Sequence, residues 1–268
     1  MKSDKVGNVL VNLFIVIVFG FVYIPIIMIM IFSFNQGKGL TNWSGFSFKW
    51  YVELFTNSTL RSVIFTTIII AVISTIISTI VGTLAAVSLA NFTRKTRNTF
   101  LQLNNIPIMN PEIVTAISLF LLFGSFMIPR GYATLLLSHI TFSIPYVVIT
   151  VYPKVRQLDP NIVQAAYDLG ATPTKALFKV VLPQIKGAMI AGASIAFTMS
   201  FDDFAISYFA TMGTPIQNIS TFLYLSKRPL EYRQSMNALS TLIVMFIGIK
   251  VVFDILKSKK KNKGEFAE

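Results

Sequence analysis

Residues 164–170 of this chain read Gln-Ala-Ala-Tyr-Asp-Leu-Gly, and nine residues later positions 180–183 read Val-Val-Leu-Pro. The stretch lies in a polar insert, residues 153–186, between two apolar runs. Gly170 permits a bend that a residue with a Cβ resists, and Thr172 before Pro173 suits the start of a second helix. The insert therefore predicts a helix, a turn and a second helix that enters a membrane span at Pro183. An amphipathic connector on the lipid surface is an equally good interpretation from composition alone.

The composition around this insert is that of a membrane protein. The chain has 268 residues, is 54% hydrophobic, and has a mean hydropathy of +0.68. Only 13% of its residues are charged, against about 25% in soluble domains. Because about 20 apolar residues cross a bilayer as a helix, the apolar runs predict one all-α membrane domain (1–268) with six spans. These spans are residues 9–34, 62–90, 100–128, 133–152, 187–210 and 236–256.

The basic residues predict the orientation of these spans. If the N-terminus is inside, fifteen Lys and Arg residues lie in the inner segments and seven in the outer ones. The positive-inside rule then places both termini and residues 153–186 in the cytoplasm. The protein is accordingly predicted to be a multi-pass protein of the plasma membrane. The same distribution explains the net charge of +12 without a nucleic-acid partner.

The polar insert resembles the EAA loop of permease subunits of ABC importers. Six of the seven defined positions fit, namely Ala165, Ala166, Gly170, Val180, Leu182 and Pro183, whereas Gln164 stands where the family usually has Glu. Further segments are similar to the C-type permease subunit of bacterial spermidine/putrescine importers. They are Asn-Trp-Ser-Gly-Phe at 42–46, Lys-Trp-Tyr at 49–51, Ser-His-Ile-Thr-Phe at 138–142 and Phe-Asp-Asp at 201–203.

This resemblance implies the type I importer permease fold and a defined set of partners. They are a second, homologous permease subunit, two ATPase subunits, an extracytoplasmic binding protein, and a polyamine as substrate. The chain itself is expected to bind no cofactor, since ATP with Mg belongs to the ATPase subunits. The resemblance assigns residues 165–178 to docking on an ATPase. The residues expected to couple the permease to the ATPase are Gln164, Ala165, Ala166, Asp168, Gly170, Thr172, Lys175, Phe178 and Pro183.

Four acidic residues fall inside the predicted spans, and three of them lie far from any basic residue, whereas Asp254 is one turn from Lys250. A carboxylate at membrane depth costs about 2.5–3.5 kcal/mol on insertion scales, so Glu112, Asp202 and Asp203 are expected to face a partner or water. Lys250, the one basic residue clearly inside a span, lies near a span end, so the sequence shows no internal counter-ion. Pairing with another subunit and contact with a cationic substrate both remain open.

The substrate hypothesis distinguishes among these residues. Asp203 lies on a small, polar helix stripe and is preferred for the pathway, whereas Asp202 suits a subunit contact. Pro111 predicts a kink at which Asn110 and Glu112 are available to contact a substrate, and simple packing of a kinked helix is an equally good interpretation. The candidate substrate-binding residues are Asn110, Glu112, Asp202, Asp203 and Tyr208.

Other signals limit the alternatives. His139, the only histidine, is expected to make hydrogen bonds between helices, because one His does not form a metal site. Small residues at 188, 192 and 196 suit close packing, for which a second permease subunit is one candidate. No P-loop pattern occurs, so the chain is not expected to be an enzyme. An ABC importer of another solute and a stand-alone ion-driven carrier or channel are the alternative functions.

Overall fold

The computed structural model describes residues 2–39, 42–226 and 229–265, and all regular elements in these ranges are helices. The predicted all-α class is confirmed. The helices are α1 (Lys2–Phe32), α2 (Lys49–Thr56), α3 (Ser58–Ala90), α4 (Arg94–Met109), α5 (Glu112–Ser125), α6 (Tyr132–Arg156), α7 (Pro160–Asp168), α8 (Pro173–Ala176), α9 (Leu182–Asp202), α10 (Ala205–Thr211), α11 (Ile219–Leu225) and α12 (Pro229–Glu265), with a π-helical turn at Leu177–Val181 before α9.

The chain divides into two compact units, of which the first comprises Met1–Arg61 and Ser226–Glu268. Its connection between α1 and α2 is organised by Asn35, which is fully buried. The Asn35 amide donates to the carbonyl of Asn42 over 2.8 Å and accepts from the amide of Ser44 over 2.8 Å. The Trp50 indole donates to the Asn35 carbonyl over 2.6 Å.

The second unit, Ser62–Leu225, has its core between α6 and α9. Val147 lies at its centre, where a Cβ on Gly82 of α3 would come within 2.7 Å of it and one on Gly192 of α9 within 3.4 Å. Gly192 and Ala196 are buried against α6. The small-residue stripe of α9 therefore packs inside this chain, and its assignment to a second subunit is corrected for these two positions.

Four helical stretches within the described residues are long and apolar enough to cross a membrane. They are Val11–Phe32, Ser58–Ala90, Tyr132–Arg156 and Pro173–Asp202. The pair α4 and α5 passes the same test together but bends by 102°. Five of the predicted spans thus correspond to helices of suitable length, whereas the total of six stays a prediction.

The third and fifth predicted spans are both interrupted. Pro111 separates α4 from α5, as the sequence predicts, although the bend is sharper than a kink. The predicted continuous span 187–210 is wrong, because α9 ends at Asp202 and α10 begins at Ala205. Phe201, Phe204 and Tyr208 consequently do not share one helix face: Phe201 stacks on Phe197, and Phe204 stacks on Tyr208.

Candidate functional site

A cleft of about 150 Å³ opens at the break between α4 and α5. Asn110 has extended backbone angles (φ −74°, ψ 141°), as residues before proline usually do, and Glu112 is the first residue of α5. Both side chains are exposed to the cleft. Its lining comprises Pro107, Asn110, Glu112, Thr115, Phe142, Tyr146, Met199 and Ile206. The cleft therefore combines one carboxyl group and several polar atoms with aromatic and aliphatic walls.

Asp203 lies beside this cleft but is itself buried, with 3% of its surface exposed. One carboxylate oxygen accepts from the Ile206 amide over 3.1 Å, and the other accepts from the Ser207 amide over 2.7 Å. The Ser207 hydroxyl donates to the second oxygen over 2.6 Å. These bonds satisfy the free amides at the start of α10, which explains physically why the helix restarts here.

His139 supplies the internal partner that the sequence did not reveal. Its Nε2 lies 3.4 Å from Asp203 Oδ2 and 3.0 Å from Ser207 Oγ. Its Nδ1 lies 2.6 Å from Ser200 Oγ, which accepts a hydrogen bond from Ser74. Since Ser207 donates to Asp203, the network assigns the His139 proton to Nε2. The predicted hydrogen-bonding role of His139 is confirmed, and the expectation that the deep acids lack an internal partner is wrong for Asp203.

Asn218 completes this network from the loop after α10. Its side-chain amide donates to the Asp203 carbonyl and to the Ser207 hydroxyl, each over 2.8 Å. Asn218 is buried, and its side-chain oxygen accepts from Thr221 at the start of α11. The helix break is therefore held by side chains from α6, from α10 and from the loop after α10.

The Glu112 carboxyl group lies next to that of Asp203. Two carboxylates in contact repel each other unless a proton or a cation lies between them. The oxygens of Asp203 are occupied by protein donors, whereas Glu112 opens to the cleft. Glu112 is therefore the carboxyl group with capacity left to bind a cation.

The remaining predicted substrate residues lie outside this cleft. Asp202 is exposed at the end of α9. Tyr208 lines a different cleft of about 220 Å³, together with Thr211 and Gly213. The structure thus brings Asn110 and Glu112 together, with Asp203 behind Glu112, and leaves Asp202 and Tyr208 apart from them.

Sequence reasoning missed the aromatic wall of the cleft. Phe142 and Tyr146 are one helical turn apart on α6 and both line it. This spacing is visible in the sequence, but it is also typical of ordinary core packing. Only the position of α6 opposite Glu112 gives the two rings a possible role in binding.

The polar insert folds as its sequence predicts. Asp159 caps α7 by accepting from the Asn161 amide over 2.9 Å, and Thr172 caps α8 by accepting from the Lys175 amide over 3.4 Å. Gly170 has a φ of +78°, a conformation that favours glycine. The π-helical turn then carries the chain into α9, so that α7, the turn, α8 and the span follow as predicted.

One surface of this insert is apolar and uncovered. Leu169 is 89% exposed and Phe178 is 61% exposed, whereas Ala176 is buried. Gln164 is also exposed and lines a groove of about 520 Å³, which it shares with Arg156. We call residues 165–178 the coupling segment. Its exposed apolar side chains are what a protein partner would cover.

Comparisons with known proteins agree over most of the chain. Residues 78–258 match the family described as "Binding-protein-dependent transport system inner membrane component". The chain is 36% identical over 242 residues to the putrescine transport system permease protein PotI of Escherichia coli K12, covering 88% of this chain and 85% of PotI. It is 34% identical over 259 residues to the spermidine/putrescine transport system permease protein PotC of the same strain, covering 97% of each chain.

Solved structures share the fold at low sequence identity. A chain of a bacterial ABC transporter involved in the import of the acidic polysaccharide alginate superposes with a TM-score of 0.71 at 15% identity, covering 95% of this chain and 98% of that one. A second alginate transporter structure, in complex with a periplasmic protein bound to an alginate pentasaccharide, gives a TM-score of 0.63 at 16% identity, covering 95% and 93%. These similarities establish the importer permease fold.

Proposed function

Since the chain belongs to the binding-protein-dependent transport system inner membrane components, we propose that it is a permease subunit of a bacterial ATP-driven polyamine importer. Relatives that transport putrescine or spermidine, by their names, are similar along 88% and 97% of the chain. We further propose that a second permease subunit, two ATPase subunits and an extracytoplasmic binding protein complete the importer. ATP with Mg then binds to the ATPase subunits and not to this chain.

The observation that carries the substrate assignment is the uncompensated Glu112 carboxyl group. It faces the cleft next to Asp203, whose oxygens are already occupied. An ammonium group at Glu112 would remove the repulsion between the two carboxylates and form a charge-assisted hydrogen bond. Asn110 offers an amide oxygen beside it. A free anion would instead meet a carboxylate at this position.

Asp202, Asp203 and Tyr208 have different roles in this proposal. Asp203 holds the break behind Glu112 and adds negative potential to the cleft. Asp202 is exposed, so it is available to the second subunit or to the passing cation. Tyr208, in its separate cleft, offers an aromatic face at another point on the path.

The coupling segment is proposed to dock on an ATPase subunit at the cytoplasmic face, with both termini on the same side. Leu169 and Phe178 supply exposed apolar contacts, and Lys175 and Asp168 are exposed charged residues beside them. Pro183 lies in the first turn of α9, directly after the π-helical turn. Motion of the segment would therefore pass into α9 and reach the helix break at Asp203.

The mechanism follows from this connection. Closure of the ATPase pair moves the coupling segment, and the spans change from an inward-open to an outward-open arrangement. The binding protein releases the polyamine, whose ammonium groups contact Glu112 as it passes the break. Hydrolysis of ATP restores the inward-open arrangement.

Uptake of radiolabelled putrescine and spermidine into proteoliposomes tests this proposal. We expect ATP-dependent uptake by the complete importer and none by this chain alone. Glu112→Gln should lower the rate at least tenfold, because the neutral amide loses the ion pair with the ammonium group.

Ser118→Ala is the matched control, since Ser118 is an exposed polar residue of α5 whose hydroxyl donates to the Val114 backbone carbonyl one turn earlier. Transport by the chain alone would identify a stand-alone carrier. Import of another solute, with none of either polyamine, would assign the chain to an importer of different specificity. Wild-type polyamine rates with Glu112→Gln would remove Glu112 from the path.

A further inference from the structure

We propose that the cleft at the α4–α5 break is a subsite for one primary ammonium group on a short alkyl chain, with Tyr146 as its specificity-determining residue. This inference rests on the proposed function and adds to it a defined part of the substrate. One end of a polyamine binds in the cleft, and the remainder of the polyamine lies outside the cleft.

The size of the cleft limits what it can hold. Its volume is about 150 Å³. A cavity of about this volume accepts a benzene-sized group. An aminoalkyl group of a few methylenes has a similar number of heavy atoms, whereas a complete spermidine molecule is considerably larger. The cleft therefore binds an end of the molecule.

The chemistry of the lining matches such an end in two parts. Glu112 and Asn110 provide oxygen acceptors for the three N–H donors of an ammonium group. Phe142, Met199 and Ile206 provide apolar surface for the methylene chain. An apolar pocket with a few polar groups at one side is the usual form of a site that binds a small amphipathic ligand.

Tyr146 connects the two parts. Its side chain is partly buried, lines the cleft, and interacts electrostatically with the Glu112 carboxyl group. An aromatic ring next to a carboxylate attracts a cation through its negative face, so it favours an ammonium group over an uncharged group of the same size. The position of α6 is fixed here by Asn104 of α4, whose amide donates to the Pro145 carbonyl over 3.2 Å. This bond keeps the α6 backbone next to Tyr146 in contact with α4.

Equilibrium binding of radiolabelled putrescine tests the subsite. The protein is the complete complex of this chain with its second permease and ATPase subunits in nanodiscs, without the binding protein. Tyr146→Leu should weaken binding about tenfold, because the ring is lost, and Tyr146→Phe should stay within about threefold of wild type. Tyr152→Leu is the matched control, since Tyr152 lies on the same helix and packs against the α6–α9 core.

Competition on the wild-type complex gives a second readout that does not depend on the folding of any variant. 1-Butylamine should displace putrescine, and 1-butanol should not, because one ammonium group is sufficient for the subsite. The subsite would be overturned if the Tyr146→Leu complex bound putrescine as tightly as the wild-type complex, or if 1-butylamine did not compete with putrescine. If Glu112→Gln still abolishes import in that case, the proposed function stands. A wild-type complex that neither binds nor imports polyamines overturns both.

Discussion

Asp203 shows how a carboxylate can be placed at membrane depth in this chain. Its oxygens accept from two backbone amides of α10 and from the Ser207 hydroxyl, and His139 Nε2 lies 3.4 Å from one of them, so the group is surrounded by polar partners without a Lys or Arg residue. Charge-assisted hydrogen bonds of this kind are stronger than those between neutral groups, and their loss leaves a charge buried without compensation. Glu112 has no comparable set of donors, and this difference separates the two neighbouring acids.

At the residue scale, we predict that His139→Ala destabilises the assembled permease. His139 is fully buried, and its removal takes a donor from Asp203 and leaves a cavity. The loss should be about 2–3 kcal/mol, measured as a lower midpoint of thermal unfolding of the detergent-solubilised complex. Thr141→Ala is the control, because Thr141 is exposed on the same helix and bonds only to the Leu137 carbonyl.

The double variant His139→Ala/Asp203→Asn separates the electrostatic effect from the cavity. Removing the charge should restore part of the stability, so the two single effects should not add. If the two effects add fully, or if His139→Ala is as stable as Thr141→Ala, the network does not compensate Asp203.

Helix breaks and turns, rather than continuous spans, determine which functional side chains of this chain are exposed and how its short helices are oriented. The break at Pro111 exposes Glu112, the break at Asp203 is closed by side chains, and the left-handed turn at Gly170 orients α8 relative to α7. The π-helical turn begins at the end of the coupling segment and leads into α9, and such turns often occur at functional sites. Each interruption lies next to a residue that the proposed mechanism uses.

At the element scale, we predict that Gly170→Ala impairs ATP-coupled uptake whereas Gly187→Ala does not. A Cβ at either position meets no other atom within 4 Å, so neither substitution causes a clash. Of these two glycines, Gly170 alone has a positive φ, at +78°. A residue with a Cβ is destabilised by about 1–2 kcal/mol in this conformation. The turn should therefore open and move α8 away from its docking position.

The measurement is uptake per ATP hydrolysed by the reconstituted importer. The ratio should fall several-fold for Gly170→Ala and stay at the wild-type value for Gly187→Ala, which lies within α9. Asn is tolerated at positive φ, so Gly170→Asn should recover part of the coupling. Equal ratios for Gly170→Ala and wild type would mean that this turn does not transmit motion.

The whole molecule leaves a large apolar surface uncovered. From Val11 onward the side chains of α1 are mostly exposed, including Phe14, Phe21 and Ile24. Such a surface is stable only in lipid or against other membrane helices. The coupling segment and the Asn35 loop, in contrast, carry polar side chains and backbone turns that need water or protein around them.

At the scale of the molecule, we predict that the coupling segment and the Asn35 loop lie on opposite sides of the membrane. The chain contains no cysteine, so single cysteines can be introduced without background. In intact cells a membrane-impermeant maleimide should label Asn42→Cys. It should label Thr174→Cys only after permeabilisation, because the excess of basic residues places residues 153–186 inside. The reverse labelling pattern would contradict the orientation.

Several features of the fold could be predicted from individual residues. Thr172, Pro173 and Gly170 act locally, so their sequence pattern already indicates the cap and the turn that the structure has. The break at Asp203 could not be predicted in the same way. Its partners Ser207, His139 and Asn218 come from positions up to 64 residues away, and only their meeting makes the interruption favourable.

The sequence by itself determined the all-helical membrane architecture, the helix–turn–helix insert and the family, because hydrophobic runs, capping residues and fixed motif spacing act over short distances. Tertiary structure alone decided which acid is satisfied and which is open, and which aromatic rings surround it. These properties depend on contacts between helices that lie far apart in the chain. Periodicity within one helix does not specify what lies opposite it.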